Sequence, residues 1–116
     1  MRRYAPAVLL AAAIGLTVAF QASAGPFIPP EEARALVKKG AVLVDVRTPE
    51  EFASGHIEGA INIPVDQLDA RKGELKKDAE LVLYCRSGAR SARGQALLKE
   101  AGYPKVHNLG GISNWK

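Results

Sequence analysis

A chain of 116 residues, 47% apolar and 24% charged, has the makings of one compact domain and is too short for two. Its net charge of +4 comes from 16 basic and 12 acidic residues, with no Lys/Arg block of the kind that binds nucleic acid. One cysteine excludes an internal disulfide, and one cysteine with two isolated histidines has no metal-ligand spacing, so neither a staple nor a metal is expected.

Arg2 and Arg3 precede an apolar run over residues 7–20, and Ala22-Ser23-Ala24 places small residues where a signal peptidase reads. The run has 14 residues, against the roughly 20 that span a bilayer. The reading is a secretory signal over 1–24, cleaved before Gly25, with a periplasmic product that has no stable membrane association. The alternative is retention as an uncleaved anchor. Cleavage removes Arg2 and Arg3 and leaves a single domain over 25–116, with 14 basic against 12 acidic residues. An unpaired thiol in an oxidising compartment is open to oxidation, which favours a chemical use for it.

Pro29-Pro30-Glu31-Glu32 opens a helix, Ala33, Leu36 and Val37 form its apolar side, and Lys38-Lys39-Gly40 closes it. Residues 41–46 read as a buried strand. Thr48 and Glu51 make a capping box with Pro49 at the first helical position, so a short helix ends at Gly55. Residues 60–63 form a strand stopped by Pro64, and 65–75 hold a short helix or turns, with Lys72, Lys76 and Lys77 facing solvent. A central strand follows at 81–84, a helix at 91–101 ended by Gly102, and a last strand at 105–109 that takes in His107 as a structural or exposed residue. Trp115 packs to close the domain. Strands alternating with helices imply an α/β fold whose mostly parallel sheet is covered on both faces.

Ligands of such sheets bind beyond the carboxyl ends of the strands, where Cys85 falls. The apolar run Leu81-Val82-Leu83-Tyr84 delivers it to the turn Arg86-Ser87-Gly88-Ala89-Arg90, ahead of a helix opening at Ser91. A cysteine closing an apolar strand is by itself usually a small, inert core residue. The turn adds unpaired amides at a helix N-terminus and two permanent positive charges, which together suit a thiolate nucleophile. An ordinary thiol titrates near 8.5, so a useful thiolate needs a shift of roughly two units, about 2.7 kcal/mol. A helix terminus supplies only about 0.3–1 kcal/mol, which leaves the arginines and loop amides to supply the rest. Gly88 permits a backbone angle or close approach that a side chain would block. Ser87, Ala89 and Ser91 contribute amides, and Ser91 also caps the helix. Arg86 faces either the incoming anion or solvent. Arg90 either fixes the loop or holds an anionic donor.

These residues resemble the rhodanese-like sulfurtransferases, whose active loop reads Cys, four residues, Arg. The resemblance extends to Val44-Asp45-Val46-Arg47-Thr48-Pro49-Glu50-Glu51-Phe52, to 55–64 beginning Gly55-His56-Ile57, and to Gly110-Gly111-Ile112-Ser113-Asn114-Trp115. It covers nearly all of 25–116. It implies a single rhodanese-like domain with a mostly parallel sheet of about five short strands and helices on both faces. It also implies a persulfide on Cys85, thiosulfate as laboratory donor and cyanide or a thiol as thiophilic acceptor, with no cofactor. Asp45 and Arg47 match the family's Asp-x-Arg, expected to anchor neighbouring loops with Glu51 or His56. His56 is expected to pack a loop and not to act as a base. Phosphatases of the same fold place five residues between Cys and Arg, a wider cradle; four favour a sulfane sulfur over phosphatase or arsenate reductase chemistry. The rival of another class is a non-catalytic sulfur carrier or partner-binding module, read by another exported protein. No Gly-rich dinucleotide motif or Walker loop is present.

Overall fold

The computed structural model describes residues 26–116, so the leader read over 1–24 lies outside the described residues. Strands β1 (Val42–Asp45), β2 (Ile61–Asn62), β3 (Leu81–Cys85) and β4 (Val106–Gly111) form one parallel sheet in the order β2-β1-β3-β4. Helices α1 (Pro30–Lys38), α2 (Pro49–Ser54), α3 (Val65–Arg71) and α4 (Ala89–Glu100) connect them, with 3-10 turns at Lys72–Glu74 and Ile112–Trp115. None of the described helices is long and apolar enough to cross a membrane.

Every residue of β3 is buried, which fits the unbroken apolar run of a strand covered on both faces. Leu81, Leu83 and Cys85 pack with Leu68 of α3 and Leu98 of α4. Val82 and Tyr84 point the other way and pack with Ala33 of α1, Ile57 and Leu109. Full burial of one such aliphatic side chain stabilises the fold by about 1.5–3 kcal/mol, so β3 anchors both layers. The capping box at α2 forms as its spacing predicts: Glu51 N donates to Thr48 Oγ1 at 3.1 Å, and Thr48 N to Glu51 Oε1 at 3.0 Å. Trp115 is half-buried against the α1 layer.

Three details differ from the sequence reading. Among the described residues the sheet has four strands where about five were expected. Beside β4, the segment ahead of α1 makes one backbone hydrogen bond, Ile28 N to Asn108 O at 2.9 Å. The donors two residues either side of Ile28, which would extend it into a ladder, belong to Pro26 and Pro30 and lack an N–H. The last strand runs on past Leu109 to Gly111, because its register with β3 shifts between Leu83 and Tyr84, where Gly110 sits at φ +94°. Finally, α4 starts at Ala89, two residues before Ser91. Gly88, at φ +109°, is its N-cap and makes no side-chain cap, so Ser91 lies inside the first turn and not at the cap position.

Candidate active site

Cys85 ends β3 beneath the turn that starts α4 and has no exposed surface. Its Sγ accepts hydrogen bonds from Gly88 N at 2.9 Å and Ser91 N at 3.4 Å, and Ser91 Oγ lies 3.4 Å away. Ser91 Oγ also lies 3.2 Å from Gly88 O, so its single proton serves either that carbonyl, tying the turn to the helix, or Sγ. Burial pushes the thiol up. The Ser91 hydroxyl and the amides of Ser91, Gly88 and Ser87 outweigh it and hold Cys85 below the ordinary thiol range. Ala89 is exposed, and its amide is not among these donors.

The expected pair of arginines divides. Arg86 is exposed at the loop. Arg90 lays both terminal nitrogens on Glu51, Nη1 to Oε1 at 2.8 Å and Nη2 to Oε2 at 3.1 Å, a bidentate pair that joins the loop to α2. Arg90 and the Thr48 amide together bring the Glu51 carboxyl down to about 2. Of the two roles read for Arg90, this geometry is the loop-fixing one.

Asp45 and Arg47 form a buried pair at the adjacent strand end. Arg47 Nε lies 2.9 Å and its amide 2.9 Å from Asp45 Oδ1, and Nη2 lies 2.6 Å from Oδ2. The same Nη2 donates to Gly55 O at 2.7 Å, so the pair anchors the segment after α2, and its guanidinium sits 5.6 Å from the Tyr84 ring. Tyr84 is pushed up to about 12, first by burial, while its hydroxyl accepts from Ile57 N at 3.0 Å. Asn62, not singled out from sequence, donates to the carbonyls of Asp45 and Arg47 at 2.9 and 3.0 Å. Glu51 and His56 stand apart from this network. His56 stacks on Phe52 at 3.7 Å between ring centroids, with Nδ1 2.9 Å from Phe52 O.

Two contacts were not legible as site features. A Cβ on Gly111 would lie 2.5 Å from Arg86 O, so that glycine lets the active loop lie against β4. Phe27 packs on Gly88 and Gly110 from the segment ahead of α1. Among the described residues no three His, Cys, Asp or Glu side chains converge as a metal site would require.

Residues 29–116 match the family model described as Rhodanese-like domain. The chain belongs to the rhodanese-like family. It is 48% identical over 75 residues to a protein of Allochromatium vinosum named Sulfurtransferase, covering 64% of this chain and 70% of that one. It is 37% identical over 90 residues to Thiosulfate sulfurtransferase GlpE of Stutzerimonas stutzeri, covering 77% and 83%. The solved structure of the human single-domain sulfurtransferase TSTD1 superposes with a TM-score of 0.68 at 34% identity, covering 78% of this chain and 95% of that one. This rhodanese-like chain is accordingly a rhodanese-type enzyme.

Proposed function

We propose that this rhodanese moves a sulfane sulfur from a small anionic donor such as thiosulfate to a thiophilic acceptor through a persulfide on Cys85. The observation that carries the proposal is the convergence of the Gly88 and Ser91 amides on Sγ, with the thiol below its ordinary range despite burial. The thiolate attacks the outer sulfur of thiosulfate. An Sγ–S bond forms, the donor's S–S bond breaks, and sulfite leaves with the electron pair. The outer persulfide sulfur then bears the negative charge, within reach of the same turn amides. A cyanide or thiolate acceptor attacks that sulfur, and Sγ departs with its electron pair, regenerating the thiolate and yielding thiocyanate or an acceptor persulfide. No base takes part, in keeping with the stacked, exposed His56. Arg86 meets the incoming anion, and Arg90 holds the loop in shape through Glu51.

Intact mass spectrometry of the purified protein after incubation with thiosulfate tests this. A gain of one sulfur, about 32 Da, that requires Cys85 and is discharged by cyanide supports it, a sulfur adduct being one of the reversible thiol caps. A Cys85→Ala variant that gains the same mass overturns it. Repeated turnover, as opposed to a single stoichiometric loading, separates the enzyme from a sulfur carrier. Export to the periplasm belongs to the same proposal and rests on Arg2, Arg3, the apolar run and Ala22-Ser23-Ala24. N-terminal sequencing of the protein from a periplasmic extract checks it: a start at Gly25 supports export and cleavage, and recovery from the cytosol with residues 1–24 attached counts against both.

A further inference from the structure

The segment ahead of α1 reaches the turn that holds the thiol. Ile28 N is fixed to Asn108 O at 2.9 Å, and Ile28 itself is buried in the α1 layer, so the backbone of this segment is held to β4. That attachment lays the Phe27 ring over two glycines. A Cβ on Gly88 would meet Phe27 Cζ at 2.7 Å and Cε1 at 3.0 Å, and a Cβ on Gly110 would meet Phe27 Cγ at 3.1 Å. The same Gly88 position lies 3.4 Å from Gly110 Cα, so ring, turn and β4 bulge form one packed layer. Gly88 has φ +109°, a conformation that glycine adopts with little restraint of its own, and its amide is the shortest hydrogen bond to Cys85 Sγ. A flexible residue making the shortest contact to the sulfur is held from behind by an aromatic ring that stays 40% exposed.

We propose that Phe27 is a positioning residue of the thiol site: it braces the Gly88 turn against β4 so that the Gly88 amide stays on Cys85 Sγ. The inference rests on the reading of Cys85 as the working thiol. Removal of the ring leaves Gly88 free to turn its amide away from Sγ. The hydrogen bond is then weaker in the charged state, and the thiol titrates higher.

The test is the pH dependence of Cys85 alkylation by iodoacetamide in the purified wild type, Phe27→Leu and Phe27→Ala, with thermal melts to establish folding. It reads the thiol without any sulfur donor. The inflection is expected to rise by about half to one pH unit in Phe27→Ala, the scale of one weakened hydrogen bond to a charged group, and by less in Phe27→Leu, which keeps part of the packing. An unchanged inflection in folded Phe27→Ala overturns the inference; if that variant does not fold, an unchanged inflection in Phe27→Leu does so. A shifted inflection in a protein whose wild type takes no sulfur from thiosulfate leaves the brace standing and removes the sulfur-transfer reading. Normal loading with no shift does the reverse.

Discussion

Strands β1 and β3 run side by side, in register at Asp45 and Tyr84, and each carries a buried ionisable group to its carboxyl end. Asp45 meets a countercharge, gripped by the Arg47 fork, whereas Cys85 meets neutral dipoles from Gly88, Ser91 and the Ser91 hydroxyl. The cation nearest in sequence to those dipoles, Arg90, is committed to Glu51. A guanidinium fork fixes one planar partner in one geometry. Amides aimed at a common point suit the proposed persulfide cycle, in which charge sits on Sγ and then one bond further out. The strand end that holds loops in place uses ion pairing, and the strand end proposed to do the chemistry uses loop amides and one hydroxyl.

The largest way to break this contrast is to remove the fork. Arg47→Met leaves Asp45 buried and unpaired and is expected to cost about 3–5 kcal/mol of stability, read by urea denaturation. A loss below about 1 kcal/mol would mean that Asp45 is solvated or protonated at little cost. Gly111→Ala presses on the loop from β4, because its Cβ would lie 2.5 Å from Arg86 O. It is expected to cost about 1–3 kcal/mol by overpacking and to slow sulfur loading through the displaced loop. Loading at the wild-type rate would show that the loop does not need that close approach.

Glu51→Gln tests the half-exposed pair and is expected to cost about 1 kcal/mol at neutral pH after solvent screening. The sign follows from linkage. The folded-state Glu51 carboxyl lies at about 2, against 4.5 for the free side chain, so its contribution is full above about 4.5 and is lost as pH falls towards 2. The stability gap between wild type and variant should narrow over that interval and nowhere else. Smallest is Ser91→Ala, which deletes one hydroxyl near Sγ and keeps the amide. The alkylation inflection of Cys85 should rise by about half a unit with little change in melting temperature. A fall in the inflection would reverse the role assigned to the hydroxyl.

Much of this architecture is legible in the residues because local rules act on it directly. Thr48-Pro49 with Glu51 specifies α2 by spacing alone, and the apolar run 81–84 reads as the central strand that is found, one residue longer, at Leu81–Cys85. Cys85 was legible as the thiol at a strand end, and the Asp45–Arg47 anchor from the Asp-x-Arg resemblance. What was not legible depends on contacts across the chain. Nothing local in Arg90 indicates that Glu51, 39 positions earlier, takes both of its nitrogens. The start of α4 moved because Gly88 adopts a left-handed conformation that lets the helix begin at once, a choice that the small residues around it leave open. That residues 26–30 add no strand beside β4 fits the two-residue spacing of Pro26 and Pro30 about Ile28, which removes the amides a ladder would need.

Those prolines bear on how copies of the molecule meet one another. A sheet edge with free amides invites a strand from a neighbouring copy. On the β4 side the covering segment presents Pro26, Pro29 and Pro30, and β4 itself ends in Gly110-Gly111. On the other side β2 is two residues long, with Pro64 close behind it. The two-residue β2 gives an incoming strand no ladder of any length, and Pro26, Pro29 and Pro30 leave the segment lying along β4 few amides to offer one, so strand-to-strand stacking of copies finds little purchase on either stretch.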